Sequence, residues 1–405
     1  MTAQPSSLTL RLFRSRASAA LIVSCCSSAS GMLVAVAVAR SSTVAETGRY
    51  GVAVAAVLLV TALARSAVAD PLTATSGATG VLRRTGRASV IGVGGAVLLG
   101  IAAILLRSEY LAIGALAIHG LAVRDTVRAV LLARGTASVA VVAELVGLGS
   151  TTIAFGGTLL GVWDSVTAFA VWAGTGALLG YAVSTVTKST LRPRWHDTPV
   201  PTPRSLAFGG DTMIGSGVVQ VVTWIATAIG GLPVAAALRG AGTLAGPVTV
   251  GLTAARAVLI PHAVRRLDGG GGIRGLLGDT TKLCAVAAPA LVLLAVVPER
   301  LGVALLGATW PLVAPILVWT AIELFAQLVA AVPESAHRAL GAGRRILALR
   351  CTTAFVRIPL VLLVAPSGVG AVVVAAAAVT AGSAVIWWIS LATLAPRPVL
   401  LPTSD

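Results

Sequence analysis

Twelve apolar runs, each about 20 residues long, decide what this chain can fold into. Each run is bounded by charged residues, glycine or proline, and each is long enough to cross the hydrocarbon core of a membrane as a helix. Backbone polar groups in a bilayer must be satisfied within the protein, so such runs form helices. The composition agrees, because 57% of the residues are hydrophobic and only 11% are charged.

The runs divide evenly around a polar segment in the middle of the chain. We predict an all-α polytopic membrane protein with about 12 transmembrane helices. Six spans precede the segment, at 18–39, 51–69, 88–106, 110–132, 136–160 and 164–187. Six follow it, at 207–229, 242–263, 279–297, 310–332, 346–364 and 368–394. The predicted domains are therefore an N-terminal six-helix bundle at 1–187, a Pro/Arg-rich linker at 188–206, and a C-terminal six-helix bundle with a short tail at 207–405.

Lysine and arginine predict the orientation of these spans. When the loops are assigned alternately to two sides, one side receives 23 basic residues and the other receives five. Basic loops stay in the cytoplasm, so we expect both termini and the linker there, in a protein of the cell membrane. Six spans per half make the halves parallel repeats, and the prolines of the linker make it a semi-rigid tether. The net charge of +16 is thus an orientation signal and predicts no nucleic-acid partner.

The sequence contains no familiar catalytic or metal-binding pattern. It has no GxxxxGK[ST] phosphate loop, no recognisable Ser/His/Asp set, and no Cys/His spacing typical of a metal site. The predicted external loops are too short to fold as a catalytic domain. We therefore expect no enzyme activity, no metal and no cofactor.

Charged residues inside the spans are the best functional candidates, because inserting each costs at least about 2.5 kcal/mol. Glu323 and Arg357 fall at similar depths on consecutive spans, which predicts an ion pair. That pair either holds the two helices together or lines a cavity. Glu144 and Asp211 are further acidic candidates, although Asp211 is also explained as a helix-start carboxylate.

Two arginines lie near the predicted cytoplasmic ends of their spans. The simplest interpretation of Arg65 and Arg256 is that their side chains snorkel to the interface. If they faced inward, they would offer bidentate donors to a diphosphate. Trp224 and Trp319 lie in mid-span, where they either line a cavity or pack against neighbouring helices.

Three stretches resemble a known family. They are ETGRYGVAVAAVLLVTALARSAVADP within 45–71, ALRGAGTLAGPVTVGLTAARAVLIP within 235–261, and LLGATWPLVAPIL at 305–317. Together with the helix order and orientation, these stretches resemble the polysaccharide or lipid-linked oligosaccharide flippases of the multidrug/oligosaccharidyl-lipid/polysaccharide (MOP) exporter superfamily.

The resemblance implies two six-helix bundles around a V-shaped cavity that opens alternately to each side. The implied cargo is a polyprenyl-diphosphate-linked oligosaccharide, moved from the inner to the outer leaflet for cell-surface polysaccharide assembly. The implied partners are the lipid bilayer, this lipid-linked saccharide, and a polysaccharide polymerase or glycosyltransferases. The candidate headgroup-binding residues are Arg65, Arg256, Arg357, Trp224 and Trp319, and the candidates for coupling to an ion are Glu323, Glu144 and Asp211.

Two other functions stay open at this point. One is a cation-coupled drug or small-metabolite exporter of the same superfamily, which predicts a less basic cavity and an essential carboxylate. The other is a membrane enzyme or a non-transporting scaffold of polysaccharide synthesis. The short external loops weigh against the enzyme.

Overall fold

The structure is a computed structural model that describes residues 16–69, 85–134, 136–195, 203–268 and 272–394. Within these ranges every regular element is a helix. The first half consists of α1 (Arg16–Ser41), α2 (Val44–Ala64, continued by a π-helical turn at Arg65–Ala69), α3 (Gly86–Leu106), α4 (Glu109–Arg134), α5 (Ser138–Leu159) and α6 (Ser165–Val186).

The second half has more breaks in its helices. It consists of α7 (Pro203–Gly230), α8 (Leu232–Leu244), α9 (Gly246–Asp268), α10 (Gly272–Ala295), α11 (Glu299–Leu306), α12 (Trp310–Val313), α13 (Leu317–Ala339), α14 (Gly343–Val364) and α15 (Val369–Ala392). Short 3-10 turns at Gly307–Thr309 and Ala314–Ile316 join α11, α12 and α13 into one bent helical unit.

Ten helical segments of the described residues are long and apolar enough to cross a membrane, so the chain is a multi-pass membrane protein. The two predicted spans outside this group correspond to α4 and to the pair α8–α9. Helix α4 carries five charged residues within 26, and α8–α9 is divided at Ala245. The count of twelve and the cytoplasmic position of the termini therefore stay predictions.

Prolines explain two of the places where the predicted boundaries differ from the helices. Helix α8 begins at Leu232, ten residues before the predicted span at 242. Pro233 occupies its first turn, where a proline forfeits no hydrogen bond because that N–H has no helical partner. Pro311 and Pro315 likewise begin new helical pieces after α11, which fills much of the predicted loop before 310.

Helix packing repeats between the two halves. In the first half α4 packs against α2, α3 and α6, and α5 packs against α1 and α6. In the second half α13 packs against α9, α10 and α15, and α14 packs against α7 and α15. The corresponding helices of the two halves thus make the same pairings, as expected for parallel repeats.

The halves meet at a seam formed by α1 and α2 on one side and α7, α8 and α9 on the other. One of its close contacts is at the end of the bundle opposite the linker. Gly48 lies against Leu232 there, and a Cβ at position 48 would come within 2.8 Å of the Leu232 Cβ. At the same end Arg40 Nη1 donates to the Ala304 carbonyl at 2.6 Å, joining α1 to α11. The seam is therefore closed at this end.

The first part of the central linker is packed onto the start of α3. The Ser89 hydroxyl donates to the Leu191 carbonyl at 2.7 Å. Arg87 Nε donates to the Trp195 carbonyl at 2.5 Å, and its guanidinium lies 5.4 Å from the centre of the Trp195 ring. The predicted tether is thus anchored as far as Trp195, and the rest of it, up to α7, lies outside the described residues.

Candidate functional site

A cluster of buried charges lies in the first half, between α4 and α5. Glu144 on α5 has only 2% of its side chain exposed and accepts from two arginines of α4. Arg124 Nη2 lies 2.9 Å from its Oε2, and Arg128 Nη1 lies 3.2 Å from its Oε1. Arg128 also pairs with Asp125, one turn earlier on its own helix. Both oxygens of the Glu144 carboxylate are therefore occupied by arginine.

Glycines on the neighbouring helices make room for Arg124. A Cβ at Gly147 would lie 3.2 Å from its Nη2, one at Gly176 would lie 3.1 Å from its Nη1, and one at Gly180 would lie 3.1 Å from its Cβ. Arg124 and Arg128 were not among the functional residues predicted from the sequence. A glutamate in the next span and glycines opposite the arginines were the signals that could have indicated this cluster.

A second cluster joins three helices of the second half around Asp211 of α7, whose side chain is 2% exposed. Its Oδ1 accepts from Arg350 Nε of α14 at 2.7 Å, and its Oδ2 accepts from Arg338 of α13. Arg350 Nη2 also lies 3.0 Å from Glu334 Oε1. The helix-start explanation of Asp211 is wrong, because α7 begins two turns earlier, at Pro203.

The predicted ion pair between Glu323 and Arg357 is present, and it links α13 to α14. Arg357 Nη2 lies 2.8 Å from Glu323 Oε1. The Thr380 hydroxyl contacts the same oxygen at 3.3 Å. Glu323 Oε2 accepts no hydrogen bond from the residues that the structure describes. Glu323 thus differs from Glu144 and Asp211, because one of its carboxylate oxygens is available.

A polar cavity of about 290 Å³ lies among α7, α13, α14 and α15. Two of its lining residues, Arg357 and Thr380, are the partners of Glu323. Charged and hydroxyl side chains supply most of its polar lining, and they include Asp211, Glu334, Arg338, Arg350, Arg357, Thr380 and Ser383. A cavity with such walls can hold water and small ions within the membrane. Trp319 lies one turn before Glu323 on the same face of α13 and is partly exposed, but it does not line this cavity.

A larger cavity of about 850 Å³, which we call the seam groove, lies where the two halves meet. Side chains of α2, α3 and α7 line it, and nearly all are apolar. Trp224 is one of them, and its Nε1 donates to the Val52 carbonyl of α2 at 3.3 Å. Of the two predicted tryptophans, Trp224 therefore lines a cavity at the seam.

Of the three arginines predicted to hold a diphosphate, the structure describes the side chains of Arg65 and Arg357 and places them beside different carboxylates. Arg357 is paired with Glu323. Arg65 lies in the π-helical turn that ends α2, with an exposed side chain, and acts electrostatically on Asp125 of the first cluster. Arg256 lies in α9, and its side chain is outside the part of the chain that the structure describes.

A polar chain around His119 of α4 was not predicted. Its Nε2 lies 2.7 Å from the Ser89 hydroxyl, and its Nδ1 lies 3.1 Å from the Tyr181 hydroxyl. Ser89 gives its only hydrogen to the Leu191 carbonyl, so His119 Nε2 must be the donor to Ser89. The histidine thereby connects α4 and α6 to the anchored part of the linker. Among the described residues, no group of histidine, cysteine, aspartate and glutamate could hold a metal ion.

Paired helical repeats with buried ion pairs and cavities between helices are also found in transporters built from internal repeats. No family model matches the sequence, and no curated protein matches it. Solved structures nevertheless match its fold. The chain has the fold of MATE family transporters of the MOP superfamily.

Three solved structures illustrate this likeness. One is the inward-facing conformation of a multidrug resistance MATE family transporter, with a TM-score of 0.68 and 13% identity over 90% of this chain and 93% of that chain. The outward-facing conformation of such a transporter gives 0.60, with 12% identity over 96% and 98%. A MOP superfamily transporter from Pyrococcus furiosus, described as having a binding pocket of reverse polarity, gives 0.55, with 13% identity over 96% and 98%. Identities this low establish the fold alone.

Proposed function

We propose that the protein is a cation-coupled exporter of drugs or small metabolites that works by alternating access. The free oxygen of Glu323 carries this proposal. A carboxylate inside the membrane with one open oxygen can take up a proton or a small cation without first losing its arginine. Glu144 and Asp211 cannot do so, because arginines occupy both of their oxygens.

The strength of the Glu323–Arg357 pair makes it a suitable coupling element. Two unit charges 2.8 Å apart attract by roughly 6 kcal/mol at an effective dielectric constant of 20, before desolvation offsets part of it. Neutralising Glu323 removes that attraction and loosens α13 from α14. A change of about 1.4 kcal/mol alters a two-state equilibrium tenfold, so even a fraction of this attraction is enough to shift the balance between two conformations.

The repeats supply the two states between which such a switch would act. In this proposal bundles 1–187 and 207–405, with six spans each and cytoplasmic termini, rock about the seam. The linker at 188–206 connects them, and its anchored beginning moves with the first bundle. The closed end of the seam is then the outer end.

The experiment measures efflux of a lipophilic cationic dye from vesicles in which the protein has been reconstituted. We expect Glu323→Gln to reduce dye transport driven by a cation gradient at least about tenfold, the effect of losing about 1.4 kcal/mol of coupling. Glu109→Gln, at an exposed glutamate at the start of α4, is the matched control and should transport normally.

A charge exchange separates coupling from simple helix bracing. Combining Glu323→Arg with Arg357→Glu keeps an ion pair between α13 and α14 but moves the carboxylate to the other helix. We expect this variant to fold and to stay deficient in transport. Full transport by the exchanged pair would show that the residues only brace the helices, and the proposal would fail.

A second candidate is the flippase of a polyprenyl-diphosphate-linked oligosaccharide, and the seam groove favours it. The groove is apolar and lies at the seam, where a lipid tail could stay in the bilayer while its headgroup crosses between the bundles. Arg357 is already paired with Glu323, and this pairing counts against the binding of a diphosphate by Arg357. In the same vesicles, translocation of a fluorescent polyprenyl-diphosphate sugar without dye efflux would replace the exporter with the flippase. A polysaccharide polymerase or glycosyltransferases would then be expected partners.

A further inference from the structure

The shape and chemistry of the seam groove match a lipid. Along α2 the groove extends from Arg49 to Leu63, which at 1.5 Å per residue is about 21 Å. That length exceeds one leaflet of a hydrocarbon core about 30 Å thick. Arg49 and Ser108 give one end of the groove its polar character, and apolar side chains line the long remainder.

The groove is open toward the surrounding bilayer and has a fixed floor. Leu98 and Leu106, both lining residues of α3, are 70% and 63% exposed. The floor is held by the hydrogen bond from the Trp224 indole to Val52 across the seam. An acyl chain could therefore enter sideways without any rearrangement of the helices.

Among the described residues, Arg49 is the only charged side chain that lines the groove, and it is exposed. Its guanidinium makes no hydrogen bond or ion pair with the residues that the structure describes. Arg40 and Arg239, at the same end of the bundle, are by contrast bound to the Ala304 carbonyl and the Tyr50 hydroxyl. A guanidinium that projects beside an apolar slot suits a phosphate group, which it binds bidentately.

We propose that the seam groove binds an anionic phospholipid, with its phosphate on Arg49 and one acyl chain along α2 and α3. The lipid would lie between α3 of the first half and α7 of the second. The bound lipid would thus contact both bundles next to the closed end of the seam. This site is independent of the proposed export function, because it requires neither a cation gradient nor a transported molecule.

Native mass spectrometry of protein extracted from vesicles made of equal parts phosphatidylglycerol and phosphatidylcholine tests the site. We expect the wild type to retain phosphatidylglycerol in preference to phosphatidylcholine. Arg49→Gln should weaken that retention roughly tenfold to hundredfold, the effect of losing a charge-assisted contact. Arg300→Gln is the matched control, since Arg300 is an exposed arginine of α11 outside the groove.

A groove-filling variant tests the acyl chain separately. Ala102 lines the groove, so Ala102→Phe should lower retention of both lipids. Ile104→Phe, on the same helix at a 79% exposed position outside the groove, should not.

Three results would overturn the site: equal retention of the two lipids by the wild type, equal losses in the two arginine variants, or full retention by a folded Ala102→Phe protein. If Ala102→Phe does not give a monodisperse protein, the arginine pair alone decides, because both positions are exposed. Retention is measured without transport, so the lipid site and the exporter can fail separately.

Discussion

Replacing Asp211 by asparagine should destabilise the second half more than any other single change of a carboxylate to an amide there. The substitution keeps the shape of the side chain but removes its charge, and it turns an amide NH2 toward a guanidinium. Arg350 keeps Glu334 as a partner at 3.0 Å. Arg338 loses its partner in Asp211, and its Nε already lacks a hydrogen bond among the described residues. One arginine inside the bundle is then left uncompensated.

The expected cost follows from that unpaired arginine. Breaking a buried ion pair by removing one partner costs about 3 to 5 kcal/mol. We expect about 3 kcal/mol, the lower end of that range, because 29% of the Arg338 side chain stays accessible. The free energy of unfolding can be measured by titrating SDS into the protein in mixed micelles, with Glu109→Gln as the surface control.

A double variant tests the reasoning directly. If an uncompensated charge causes the loss, adding Arg338→Leu to Asp211→Asn should recover at least half of the lost stability, since removing both partners is far less costly than removing one. A cost below about 1 kcal/mol for Asp211→Asn would mean that these groups behave as a surface ion pair. Failure of the double variant to recover stability would show that the cost lies elsewhere.

Two further predictions concern the seam and a helix start. Gly48→Val should force the closed end of the seam apart, because the new Cβ meets Leu232. Spin-label distances across the seam should lengthen, and dye efflux should fall. The control Gly100→Val, at a position in open space on α3, should change neither quantity. Asp164 caps α6: hydrogen bonds from the Thr167 hydroxyl and N–H hold the pKa of its carboxyl below the usual value. Asp164→Ala should cost about 1 kcal/mol at neutral pH. Because the pKa of Asp164 is lower in the folded protein, its carboxylate stabilises the fold at pH values above the usual aspartate pKa. The difference in unfolding free energy between the wild type and Asp164→Ala should therefore vanish as the pH falls through the lowered pKa.

The sequence was sufficient for the features that depend on distance along one helix. Span 88–106 corresponds to α3 at Gly86–Leu106, because the thickness of a bilayer fixes the length of an apolar helix. The Glu323–Arg357 pair was predictable for the same reason, since the rise per residue gives the depth of each side chain on two consecutive spans.

The arginine partners of Asp211 were not predictable in this way. They depend on which helices are neighbours and on how each is rotated about its axis. Asp211 of α7 meets residues more than a hundred positions away, on α13 and α14, because the second half folds those helices against α7. No local pattern encodes that adjacency.

The repeats preserve helix contacts but exchange the signs of the charges. In the first half the arginines lie on α4 and the glutamate on α5, whereas in the second half Glu323 lies on α13 and Arg357 on α14, the corresponding pair of helices. In the first half two arginines contact one buried glutamate, and they occupy both of its carboxylate oxygens. The second offers Glu323 a single arginine and leaves one oxygen free. Two halves with the same helix packing thus treat their intramembrane glutamates differently: arginines contact both oxygens of Glu144, whereas one oxygen of Glu323 is open among the described residues.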